Sequence, residues 1–304
     1  MAAAGFHHLM LAGAPGTGKT MIAERIPDIL PPMTEEEKLE VSGIYSIAGK
    51  LQTEGLMEKR PFLAPHHTVS PQAMAGGGRI PRPGLLSLAH RGILFLDEMP
   101  EFSSAVLEVL RQPMEEKRVH IDRSYGSYTY PADFMLVCAM NPCPCGYFPD
   151  RNRCNCSPAD IRRYLGRISG PVLDRIDMIT EAAPVAVKDL YEAREAENTA
   201  AIKQRVLEAR ERQQFRYQKS PYHFNGELPG SEVKKYCQPS FGGQRFLEQM
   251  SEAGQISARA FHKILRLART TADLEGREKI EQTHLAEAVC YNSGRRRFWN
   301  QISM

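Results

Sequence analysis

The chain has 304 residues, of which 42% are hydrophobic and 25% charged, and its formal net charge is +3. These values suit a globular protein with a sizeable core and exclude a collagen-like, low-complexity or disordered chain. The longest apolar stretches, such as Leu9–Ala12 and Ile93–Leu96, are too short to cross a bilayer, and no secretory leader is evident, so a cytoplasmic protein with no membrane partner is expected.

Ala2–Gly5 reads as the end of a helix, which suggests a piece of a longer protein, and His8–Leu11 as an apolar strand. A glycine-rich turn follows, then a helix from Lys19 to about Ile26 that should stop near Pro27 and the Pro31-Pro32 pair. Thr34 with Glu37 forms a capping box for the next helix. Residues 61–84 are rich in Pro, Gly and His and are expected to form an irregular, mobile insertion. Its His66 and His67 have no carboxylate or cysteine close by in sequence, which favours a role within the loop over metal binding.

Leu85–His90 is predicted as a short helix, Gly92–Asp97 as a buried strand, and Ser103 as the cap of a helix to about Glu116. Residues 117–131 alternate as a β-hairpin carrying Lys117, Arg118 and Arg123, and Phe134–Met140 is a further apolar strand. Strands alternating with helices give an α/β domain with a parallel sheet covered on both faces. From about Lys188 the pattern is helical: a long charged helix through Arg212, a polar linker near Ser220–Gly230 and three shorter helices. The expected division is therefore an α/β core over 1–186 and a small all-α lid over 187–304. Arg210, Arg212, Arg216 and Lys219, and Arg295–Arg297, read as solvated helix face or tail in preference to nucleic-acid contacts.

The chemistry begins at Gly13, Ala14, Pro15, Gly16, Thr17, Gly18, Lys19 and Thr20, which match G-x-x-x-x-G-K-[ST] between a strand and a helix. Glycines let backbone amides close around phosphates at a helix N-terminus. Lys19 brings positive charge to the β- and γ-phosphates of ATP, and the Thr20 hydroxyl is a Mg²⁺ ligand. Asp97 and Glu98 end an apolar strand beside that loop, Asp97 to hold the Mg²⁺ shell and Glu98 to take a proton from the attacking water. Asn141 ends the next strand, where a neutral amide orients the same water. Arg175 stands where an arginine can reach a neighbour's γ-phosphate, with Arg163 and Arg167 as alternatives, and Arg259 opens a lid helix that can touch the nucleotide from above. Of seven cysteines, Cys143, Cys145, Cys154 and Cys156 form two close C-x-C pairs, either a tetrahedral zinc site or reduced thiols in a loop.

Over essentially its whole length the chain resembles the Mg-chelatase-like AAA+ proteins of the ComM/YifB type. The resemblance rests on Gly13–Thr20, Ala64-Pro65-His66-His67, Gly92–Glu98, Met140–Gly146, Ile168–Asp177 and Ser257–Gly276. It implies a P-loop AAA+ domain followed by the lid, Asn141 as sensor 1, Arg175 as an arginine finger acting in trans and Arg259 as sensor 2. It implies hexameric rings and, for the ComM type, DNA branch migration in natural transformation. Chelatase relatives imply instead a motor that works on a protein partner for metal insertion into porphyrins. The hairpin over 117–131 resembles a pore hairpin of related helicases, through which Lys117, Arg118 and Arg123 would meet a DNA backbone. The relatives' N-terminal Lon-protease-like domain has no counterpart in this sequence, and Ile176 follows Arg175 where many helicase relatives have phenylalanine.

Overall fold

The computed structural model describes residues 1–52, 55–124, 126–184, 197–254 and 256–299. Its strands are β1 (Leu9–Ala12), β2 (Phe62–Leu63), β3 (Gly76–Gly77), β4 (Arg82–Pro83), β5 (Ile93–Leu96), β6 (Arg118–Arg123), β7 (Gly126–Pro131), β8 (Met135–Met140) and β9 (Met178–Glu181). Five of them form one sheet in the order β2-β5-β8-β1-β9, with every pairing parallel. β1, β5 and β8 are buried at every residue, as expected of parallel strands covered on both faces, and this is why they read as unbroken apolar runs.

Side-chain alternation divides these strands between two layers. Leu9, Leu11, Ile93, Phe95, Val137 and Ala139 face Ala23 and Ile26 of the helix Lys19–Ile29, together with Val206, Leu267 and Ala268 of the C-terminal helices. Met10, Ala12, Leu94, Leu96, Cys138 and Met140 face the helices Ser104–Val109 and Pro158–Leu165. The whole is a parallel sheet flanked by helices and followed by a helical region, consistent with a P-loop AAA+ domain and a helical domain. The expected boundary near residue 186 lies outside the described residues.

Several local expectations are corrected. The helix after Gly18 continues through Pro27 to Ile29, because a proline in the final turn forfeits a single intrahelical bond. It stops where Leu30 turns extended (ψ 146°) ahead of Pro31, the conformation a following proline imposes. The Ser103-capped helix breaks at Leu110 into Ser104–Val109 and Arg111–Glu116, since Pro113 lacks the amide that would bond the Val109 carbonyl.

The insertion over 61–84 is built rather than irregular. It holds the helix Pro71–Ala75, capped by Ser70 and anchored by buried Met74, and the antiparallel β3–β4 ribbon. Gly76 is required there, since a Cβ would meet the Arg82 carbonyl oxygen at 2.3 Å and φ is +100°.

The stretch expected as a polar linker is core. Phe224 and Asn225 are buried; Arg210 lies 4.0 Å from the centre of the Phe224 ring, and the Asn225 amide donates to Asp273 Oδ2 at 2.9 Å and Thr270 Oγ1 at 3.0 Å. The preceding helix runs to Tyr217, and among the described residues four α-helices follow in place of three: Gly230–Tyr236, Phe241–Glu252, Ala258–Leu274 and Gln282–Trp299. Arg212 donates to the Asp273 carbonyl at 2.9 Å and Arg216 grips the Asp273 carboxylate, so Arg210, Arg212 and Arg216 hold the helical region together instead of forming a solvated face. The side chains of Arg295–Arg297 lie outside the described residues.

Asp273 has no exposed surface and pairs with Arg216 at 2.5 Å and Arg269 at 3.1 Å. Removing the carboxylate leaves two largely buried guanidiniums without a counter-charge. Asp273→Ala should therefore cost roughly 3–5 kcal/mol. Urea unfolding of the full chain measures it, and a loss within experimental error would refute this account of the network.

Candidate active site

Three adjacent strands end at one edge of the sheet. The register pairs Ala12 with Met140 and Leu96 with Cys138, so Gly13 and Asn141 leave their strands level with each other and Asp97 leaves β5 two residues earlier, at the level of Ala139. The Gly13 amide closes the junction by donating to the Met140 carbonyl at 3.2 Å.

The loop Gly13–Thr20 leads from β1 into the helix Lys19–Ile29. Gly16 (φ +78°) and Gly18 (φ +77°) are left-handed, and no atom lies within 4 Å of a Cβ built on Gly16, so backbone conformation rather than crowding selects glycine there. Gly18 stands at the N-cap without a side-chain hydrogen bond, which leaves the first-turn amides to another acceptor.

Lys19 is buried, and its ammonium donates to the carbonyls of Gly13 at 2.9 Å and Ala14 at 2.8 Å and to Asn141 Oδ1 at 3.2 Å. Burial lowers its pKa, and the carboxylates of Asp97 and Glu98 oppose that shift. Thr20 Oγ1 donates to Asp97 Oδ2 at 2.8 Å, while Asp97 Oδ1 accepts the Glu98 amide at 2.9 Å. Glu98 itself is exposed and held at φ 50°, ψ 46°, a left-handed conformation that costs a non-glycine residue about 1–2 kcal/mol. An ammonium, open first-turn amides, a hydroxyl and a carboxylate converge here, and this donor set fits a Mg²⁺–triphosphate: hard oxygens for the ion, N–H groups and positive charge for the phosphates.

The two arginines stand together elsewhere. Arg175 donates to the Pro171 carbonyl at 2.6 Å and ion-pairs with Glu115; Arg259 pairs with Asp174 at 2.9 Å. Both line a cavity of about 430 Å³ to which Gly13–Thr20, Asp97, Glu98 and Asn141 contribute nothing. Within one chain, therefore, Arg259 is not brought over Gly13–Thr20. Of the alternatives to Arg175, Arg163 pairs with Asp160 at 2.6 Å and Arg167 with Glu101 at 2.7 Å.

Lys263 and Arg266 line the same cavity and escaped the sequence reading, although positions 259, 263 and 266 share one helical face. Arg266 pairs at 3.3 Å with Asp177, which also accepts the His8 amide at 3.0 Å. Burial pushes the Asp177 carboxyl up, but His7, Arg266 and His8 outweigh it and hold the group well below the usual carboxylate range.

The hairpin forms as expected, with Val119 and Ile121 buried and Arg118 and Arg123 exposed. Lys117 does not belong with them. Its ammonium sits 3.2 Å from Asp133 and 3.8 Å from Glu227. His66 is tied to the Thr68 hydroxyl at 2.9 Å and its ring lies 4.0 Å from that of His67, in keeping with a loop role.

Cys143, Cys145, Cys154 and Cys156 come together, with all four sulfurs within 4.8 Å of one another. Burial raises the Cys145 thiol, but the Tyr147 amide and the neighbouring sulfurs outweigh it and bring the group down to about 6. Cys156 is pushed up to about 12, by burial first. Among the described residues no helix is long and apolar enough to cross a membrane.

Residues 1–190 match the family of magnesium chelatase, subunit ChlI, and residues 196–292 match the ChlI C-terminal family. The YifB protein of Salmonella typhimurium is 45% identical over 293 residues, covering 96% of this chain and 57% of that protein. The competence protein ComM of Haemophilus influenzae is 42% identical over 294 residues, again 96% of this chain and 57% of ComM. A 67 kDa magnesium-chelatase subunit of Chlorobaculum parvum is 27% identical over 171 residues, 56% of this chain and 22% of that protein. The chain thus spans little more than half the length of its YifB and ComM relatives. With both of its parts matched in order, it belongs to the magnesium chelatase ChlI family.

Proposed function

We propose that this chain is the ATP-hydrolysing motor of a ring of identical subunits, hexameric by its resemblance, whose substrate is branched or single-stranded DNA. The observation that carries the hydrolysis reading is the convergence of Lys19, Thr20, Asp97, Glu98 and Asn141 at the ends of three neighbouring strands. Bound Mg²⁺ supplies charge neutralisation and orientation at the β- and γ-phosphates. Lys19 exchanges its loop carbonyls for phosphate oxygens, and the first-turn amides complete the cradle. Thr20 and Asp97 hold the ion. Glu98 accepts a proton from the attacking water, which Asn141 orients.

The arginines support a ring. Arg175 and Arg259 share a cavity away from their own phosphate loop, which supports their action on the nucleotide of the adjacent subunit. DNA is favoured as substrate by the 42% identity to a competence protein and by the outward Arg118 and Arg123 of the hairpin. Such contacts are electrostatic and largely blind to sequence.

The test is ATP turnover by the full-length protein with and without forked DNA at low salt. Turnover that rises with DNA, with the rise reduced in an Arg118→Ala, Arg123→Ala double variant, is the expected result. Turnover indifferent to DNA would overturn the substrate and point to a protein partner of the chelatase kind. Absence of turnover would overturn the motor itself.

A further inference from the structure

The loop between Asn141 and Ser157 carries chemistry that nucleotide hydrolysis does not use. Sulfur separations of 3.3 Å (Cys143 to Cys145), 3.7 Å (Cys143 to Cys154) and 3.6 Å (Cys145 to Cys154) are close to the edge, about 3.8 Å, of a tetrahedron of four sulfurs at 2.3 Å from one zinc ion. An iron–sulfur cluster spreads its cysteines over several irons and needs them further apart.

The backbone around the sulfurs is shaped for thiolates. Gly146, at φ +85°, reverses the chain after its amide bonds the Cys143 carbonyl at 2.9 Å, and the Phe148 amide then donates to Cys143 Sγ at 3.4 Å. Hydrogen bonds of this kind orient metal ligands. Four thiolates around one divalent ion leave a charge of −2, and Arg151 and Arg153 lie in the loop between the two cysteine pairs. Their guanidiniums stack at 5.2 Å from Phe148 and 4.0 Å from Tyr147, at the turn that follows Gly146.

We propose that Cys143, Cys145, Cys154 and Cys156 bind a single zinc ion, and that this ion braces the phosphate loop. The bracing half rests on the reading of Gly13–Thr20 as a nucleotide cradle. Gly146 packs so closely on Pro15 of that loop that a Cβ on it would lie 2.4 Å from Pro15 Cδ. At its other end the metal loop begins at Asn141, which accepts from Lys19 and stands two residues before Cys143. One ion thereby fixes two walls of the cradle, and loss of the ion frees both.

The experiment begins with metal analysis of the full chain purified without chelator, where one zinc per chain is expected. Cobalt in its place should give the spectrum of a tetrahedral thiolate site. Affinity for a fluorescent ATP analogue is then measured on the loaded chain, after stripping by chelator under reducing conditions, and after zinc is returned. A loss of about tenfold that zinc reverses is expected, within the usual range of coupling between sites.

Zinc near zero, iron in its place, or a disulfide between these cysteines in freshly purified protein would overturn the metal site. Bound zinc whose removal leaves both circular dichroism and nucleotide affinity unchanged would overturn the brace. A loaded chain that does not bind the analogue would overturn the nucleotide reading and the brace with it, while the zinc content would still decide the metal site. If stripping unfolds the protein, Gly146→Ala keeps four thiolates and should keep the zinc while weakening nucleotide binding; full affinity in that variant overturns the brace.

Discussion

Glu98→Gln in the full-length protein is expected to bind ATP with unchanged affinity and to lose turnover by roughly a hundred- to ten-thousandfold, the range over which a positioned general base contributes. The substitution isolates one property. Glutamine has the shape of glutamate, the side chain is exposed, and the left-handed backbone at this position strains both residues alike, so stability should not change. The neighbours also remain in place. Thr20 bonds Asp97 rather than Glu98, and Lys19 bonds carbonyls and Asn141. What disappears is a lone pair basic enough to take a proton from water. The signature is a fall in kcat without a rise in KM, because the interaction is made in the transition state alone. Single-turnover hydrolysis beside equilibrium binding of an ATP analogue measures both. Retained turnover would move the base elsewhere, and Glu101 is poorly placed to inherit the role, being held by Arg167 at 2.7 Å.

How much of this was legible in the sequence depended on range. Gly13–Thr20 is a contiguous motif whose glycine conformations, strand and helix are all local, so this strand–loop–helix unit could be read directly. β1, β5 and β8 were legible because strands buried on both faces leave unbroken apolar runs. The contact of Lys19 with Asn141 joins residues 122 apart, and only the strand order β8-β1 brings them together.

Of the two proline signals, Pro27 misled, because it sits in a last turn that tolerates it, while the pair Pro31-Pro32 marked the stop, which lies at Leu30. Polarity misled around Asn225, because composition does not distinguish a polar residue in water from one whose partners are a half-buried arginine and buried threonine and aspartate side chains. The same limit explains Arg210, Arg212, Arg216 and Lys117, which look like free surface charge until Phe224, Asp273 and Asp133 are found beside them. For the cysteines, residue type and spacing were visible; the closeness of four sulfurs depends on turns at Gly146 and Asp150.

Arg175→Ala should reduce turnover of the assembled full-length protein by roughly a thousandfold or more, as removal of an arginine finger does, while each separate chain binds ATP as before. The separation follows from geometry, since the cavity that Arg175 lines contains no residue of Gly13–Thr20. Structural damage is the competing explanation, because the Arg175 side chain is only 16% exposed and pairs with Glu115. Arg175→Lys addresses it in part: the charge remains and the planar two-pronged donor is lost, so a purely structural ion pair would tolerate the exchange and a finger would not.

Mixing gives the sharper discrimination. A Lys19→Ala chain has a damaged cradle and an intact Arg175, whereas an Arg175→Ala chain has the reverse, and each alone should be inactive. In mixed rings some interfaces join the sound cradle of one chain to the sound arginine of the other. Those interfaces should hydrolyse ATP, restoring a measurable fraction of parental turnover. Recovery cannot arise if Arg175 serves its own subunit's nucleotide, because no mixed ring then contains a complete site. Mixed rings that assemble and remain inactive would therefore sink the trans assignment, whatever the single variants do.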